Sequence, residues 1–179
     1  MKTIFDQFIE YTDFSLDMIR PRDVYICLFS LLVKRQAEEY GNDVPEPAAE
    51  QLAAELTEMS QTYRLYEVAV LFELTEWLRD NHYHWYCSPE MKNSIMLYLL
   101  GVTKIKPKLQ RPYVWASADP TFEIVVQDEA FDKLENLFED HWFTLVCNQH
   151  YEIDRKYSNT AKYGYIIITK EGFKGKERR

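Results

Sequence analysis

The chain has 179 residues, 46% hydrophobic and 28% charged, which suits a globular protein with one substantial core or two small domains sharing one. Its net charge of −8 is uneven: residues 1–101 hold 8 Lys/Arg against 17 Asp/Glu, and residues 102–179 hold 13 against 12. An acidic first half disfavours a phosphate backbone and favours a basic surface, and no P-loop, dinucleotide fingerprint or G-x-S-x-G elbow is present.

Residues 1–101 read as a bundle of about five helices. The first is expected near residues 2–11. The second runs from Pro21, which a first helical turn tolerates, to a natural stop at Gly41. Its apolar stripe is Val24, Cys27, Leu28, Leu31 and Leu32. After the turn "NDVPEP", Ala49, Leu52, Ala53, Leu56 and Met59 mark a third helix at three-and-four spacing, which puts Glu55 and Glu58 off the stripe. A fourth carries Tyr63, Tyr66, Val70, Leu74 and Trp77, with Glu73 and Glu76 on its surface. Ser88 as N-cap and Pro89 just inside predict a fifth that ends at Gly101.

After Gly101 the pattern changes. Pro107, Pro112 and Pro120 punctuate an extended stretch with two strand-like segments, "YVWAS" and "TFEIVV". "DEAFDKLENLFED" follows as an amphipathic helix, capped by Asp128, with Phe131, Leu134, Leu137 and Phe138 facing inward. "WFTLVCNQHYEI" and "YGYIIIT" form a hairpin pair around the polar loop "DRKYSNTAK". The order predicts a small antiparallel ββαββ unit over residues 102–179, fused to the helices in an α+β fold with one shared core. Three widely spaced cysteines, Cys27, Cys87 and Cys147, make no disulfide framework and point to a reducing, cytoplasmic setting. Asp6 and Glu10 interrupt what a signal peptide needs as an apolar core, and the run "YICLFSLLV" is too short to span a bilayer.

The densest chemistry is "RDNHYHWYC" at residues 79–87. One reading is structural: Asn81 near a helix end, histidines at its negative pole, and Tyr83, Trp85 and Tyr86 filling a corner. A second is a metal site, in which His82, His84 and Cys87 join Cys147 and His150 around a tetrahedral zinc. A third comes from the R-x4-H spacing of Arg79 and His84, which resembles the signature of the helical HEPN nucleases. That resemblance implies an arginine that stabilises the phosphoryl group and a histidine that assists proton transfer involving the 2′-hydroxyl.

Basic residues interleave with aromatics at Arg155, Lys156, Tyr157 and Lys162, and a basic tail follows, a pattern open to nucleic-acid binding. The preceding helix, however, is dominated by acid. The reading adopted is a non-enzymatic binding protein without cofactor or metal, with residues 79–87 structural. It is expected to be an inhibitor, immunity or accessory protein, phage- or mobile-element-encoded, acting on a nucleic-acid-handling partner. Glu55, Glu58 and Glu73 are the expected contacts with that partner's basic surface. A HEPN-like ribonuclease and a nucleic-acid binder are the alternatives.

Overall fold

The computed structural model describes residues 21–61, 65–109, 122–134, 151–153, 160–163 and 166–174, which form helices and a mixed β-sheet in an α+β fold. Helix α1 (Pro21–Tyr40) has the bounds its sequence predicts. Gly41 closes it at φ 64°, a left-handed backbone free of steric cost for glycine, and donates its N–H to the Ala37 carbonyl at 2.8 Å. Leu28 and Leu32 are buried on its inner side.

Helix α2 (Glu46–Gln61) buries Ala48, Leu52, Leu56 and Met59, while Ala49 and Ala53 are exposed. The buried stripe is therefore rotated from the expected one, and Gln51 and Glu55 lie within it. Helix α3 (Leu65–Asp80) packs against α1 and is buried on every side from Glu67 to Thr75. It is a central helix rather than an amphipathic one with a solvated face.

The chain departs most from expectation after α3. His82 takes left-handed backbone at φ 61°, and the N–H groups of His82 and Tyr83 donate to the Arg79 and Leu78 carbonyls, closing the helix. Residues Trp85–Cys87 then form strand β1 instead of a helix-to-helix corner. Ser88 is not a cap, because its N–H donates to the Glu123 carbonyl at 2.9 Å beside the sheet. After a 3-10 turn at Met91–Asn93, helix α4 (Ile95–Leu99) starts at Ser94, whose side chain accepts from the Leu97 N–H.

Strand β2 (Phe122–Val126) is followed by α5 (Asp128–Asp132), β3 (Tyr151–Ile153), β4 (Thr160–Tyr163), β5 (Ile166–Lys170) and α6 (Glu171–Lys174). Asp128 does not cap α5; its carboxylate accepts from the Gly172 N–H at 3.0 Å and so fixes the start of α6. The strand order is β1-β2-β5-β4-β3. The sheet is not purely antiparallel, since β2 and β5 run parallel from Phe122 opposite Ile166 to Val126 opposite Lys170. Parallel partners need a crossover instead of a tight turn, and the chain between them includes α5 and the β3–β4 pair.

Strand β1 runs antiparallel to β2, with Trp85 opposite Val126 and Cys87 opposite Ile124. Alternation puts Trp85, Phe122, Ile124, Ile166 and Ile168 on one face and Tyr86, Glu123 and Ile167 on the other. The first set joins Leu28, Leu56 and Leu74 in one apolar cluster, so a single core crosses residue 101. The expected helix at 2–11, the strand at "YVWAS" and the helical positions Leu137 and Phe138 lie outside the described residues. Among the described residues, no helix is long and apolar enough to cross a membrane.

Candidate functional site

Residues 79–87 divide between two sides of β1. Arg79 pairs through Nη1 with the Glu76 carboxylate, and its Nη2 donates to the Gly101 carbonyl at 3.0 Å. A Cβ on Gly101, at φ 73°, would stand 2.7 Å from that nitrogen, so a larger residue there would displace the guanidinium tip. Arg79 also lies 5.8 Å from the centroid of the Trp85 ring. His84 goes elsewhere: its Nε2 is 2.7 Å from Glu171 Oε2, and its ring meets Tyr86 edge-on at 5.8 Å. The two side chains that the HEPN resemblance pairs thus meet different partners across the strand.

Both members of the His84–Glu171 contact are nearly half exposed. His84→Ala is accordingly expected to cost less than about 1 kcal/mol in urea denaturation. A loss several times that size would show the contact to be an essential clamp between β1 and α6.

Of the residues expected around a zinc, Cys87 lies on the Trp85 face, opposite His84. Its Sγ donates to the Val102 carbonyl at 3.3 Å, and burial pushes the thiol up to about 12. His82 is exposed. Among the described residues, no three His, Cys, Asp or Glu side chains gather around a common point that could hold an ion. Cys147 and His150 lie outside them, as do Arg155, Lys156 and Tyr157. Lys162 is not in a loop but in β4, opposite Glu152 and Ile167.

The expected acidic contacts require correction. Glu55 is 1% exposed and Glu73 is 2% exposed, so both belong to the interior. Glu55 Oε1 accepts from Gln51 Nε2 at 2.7 Å and the Ile95 N–H at 3.1 Å. Its Oε2 accepts from the Ser94 hydroxyl at 2.6 Å and the Met96 N–H at 3.0 Å. This carboxylate caps α4 from a different helix. Burial raises its pKa, and the four donors oppose that rise. Glu58 is half-buried on the outer part of α2. The exposed carboxylates include Asp43, Glu46 and Glu50, around the α1–α2 turn.

A cleft of about 440 Å³ opens between α1, α3 and the turn after α4. Gly101 and Val102 build that turn: Val102 and Thr103 donate their N–H groups to the Leu97 carbonyl at 2.9 and 3.2 Å. The Val102 carbonyl is thereby held to accept from Trp85 Nε1 at 2.8 Å. Arg35, Arg79, Thr103 and Lys104 line the cleft together with Glu38 and Glu39. Lys104 Nζ sits 4.0 Å from the Trp85 ring centroid. Burial, and then the nearby charge of Arg35, pull the Arg79 guanidinium below its ordinary value. Lys106 bonds Glu39 at 2.7 Å and holds that carboxyl below the usual carboxylate range. Sequence reasoning missed this cleft because its residues are far apart in the chain; the positive pair Lys104 and Lys106 just after a capping glycine is the only local hint.

Comparison with protein-family models, with curated proteins and with solved structures finds no match.

Proposed function

We propose that the chain is a non-enzymatic binding protein whose acidic helical surface engages a basic surface on another protein. The observation that carries this reading is the group Asp43, Glu46 and Glu50, exposed together and making no ion pair with any described residue. Uncompensated surface carboxylates steer a basic partner toward them and repel a phosphate backbone. A protein that handles nucleic acid presents such a basic surface, and an acidic competitor on it acts as an inhibitor or accessory factor.

The test compares wild type with Asp43→Lys/Glu46→Lys/Glu50→Lys, in which all three positions are exposed and the variant is expected to fold. Each is immobilised and offered extract from the source cells, and retained proteins are identified and then purified. A basic protein held by wild type, released by salt and lost from the triple variant supports the reading. With that purified protein, ionic strength should lower the on-rate more than it raises the off-rate. Equal retention by the triple variant, or direct salt-sensitive binding of RNA or DNA to the chain, overturns it.

A further inference from the structure

The cleft between α1, α3 and the turn after α4 shares no lining residue with the acidic surface at Asp43, Glu46 and Glu50. Three cations from three elements, Arg35, Arg79 and Lys104, face it. Their countercharges are incomplete. Glu38 answers Arg35 at 3.2 Å, and Glu76 answers Arg79. Glu39 is taken by Lys106. Lys104 has no carboxylate partner among the described residues; its ammonium rests over the Trp85 ring.

Two donors at the cleft are also unanswered. Thr103 is 3% exposed, yet among the described residues its Oγ1 has no hydrogen-bond partner, and neither does the buried Nε of Arg35. Buried polar groups are nearly always satisfied, so a hydroxyl and a guanidinium N–H left open beside an unpaired ammonium call for acceptor oxygens bearing charge. We propose that this cleft binds the carboxylate of a small organic acid. Lys104 and Arg35 meet its charge, and the Thr103 hydroxyl donates to one of its oxygens. A single negative charge balances the one cation left uncompensated, which favours a carboxylate over a phosphate dianion. The volume is that of a small-molecule site.

The test is an NMR titration of the ¹⁵N-labelled full chain with acetate and with succinate. Phosphate is run beside them, and sodium chloride at equal ionic strength is the control. Saturable shifts are expected at the Thr103 and Lys104 amides and the Trp85 indole N–H with the carboxylates and not with chloride. Lys104→Met keeps the aliphatic stem over Trp85, and Thr103→Val keeps the side-chain shape, so both should fold. Each is expected to weaken Kd about tenfold. Saturable shifts with phosphate alone, unchanged affinity in both variants, or no saturable shift with either acid overturns the proposal.

Discussion

Glu55→Lys is expected to abolish folding, and Glu55→Ala to cost about 3–5 kcal/mol in urea denaturation. The alanine variant leaves the Ser94 hydroxyl, the Ile95 and Met96 N–H groups and one bond of the Gln51 amide without their acceptor. The lysine variant adds a cation pointed at those same donors, in a site where the native residue is 1% exposed. A lysine variant with a native circular-dichroism spectrum and an unchanged transition would sink this account. The pH dependence has a definite sign. Burial raises the folded-state pKa of Glu55 above its unfolded value. That contribution is fully present below the unfolded pKa and is lost as pH rises through the folded one. Stability relative to Glu55→Gln should therefore move in favour of the glutamine variant as pH climbs from the ordinary glutamate range.

Trp85→Ala is expected to cost about 3–5 kcal/mol, because the ring is 5% exposed and lies where helices and sheet meet. The indole N–H also ties β1 to the turn that ends α4. Trp85→Phe keeps most of the apolar volume and loses that bond, so it should cost about 1–2 kcal/mol. Thermal and chemical denaturation of the two variants separates packing from hydrogen bonding. Equal costs would mean that the Val102 bond carries the effect and the ring volume none of it.

Local signals were legible where local physics decides the outcome. Pro21 and Gly41 mark the ends of α1 because a first turn tolerates proline and a left-handed cap suits glycine. The aromatic and β-branched run "TFEIVV" after Pro120 marks β2 for the same kind of reason. Glu55 was misread because its partners are the start of α4, far along the chain, and a lone carboxylate beside Leu52 and Leu56 looks like a solvated position until they are known. Glu73 was misread because α3 is surrounded on all sides, which its own sequence does not announce. β1 is three residues long, too short for alternation to register, and its strand character comes from pairing with β2. The parallel β2–β5 pairing is likewise a property of the assembled sheet. The cleft draws on Arg35, Arg79 and Thr103, which no spacing rule connects. The exposed acid near Asp43, by contrast, was visible as charge, although its location on the surface was not.

The place of β5 between β2 and β4 bears on how the protein is made. Of the five strands among the described residues it is the last in sequence, yet it joins the two sides of the sheet. During synthesis, β1 and β2 on one side and the β3–β4 pair on the other have nothing between them until residues 166–170 leave the ribosome. Through that interval, the edge of β2 offers unpaired backbone beside Phe122 and Ile124, a ready template for a neighbouring nascent chain. Closing the sheet then requires a long-range zippering step, which is slower than the formation of any helix in the molecule. The hazard is thus concentrated in the interval before residues 166–170 emerge, when the chain still lacks the strand that joins the two sides of its sheet.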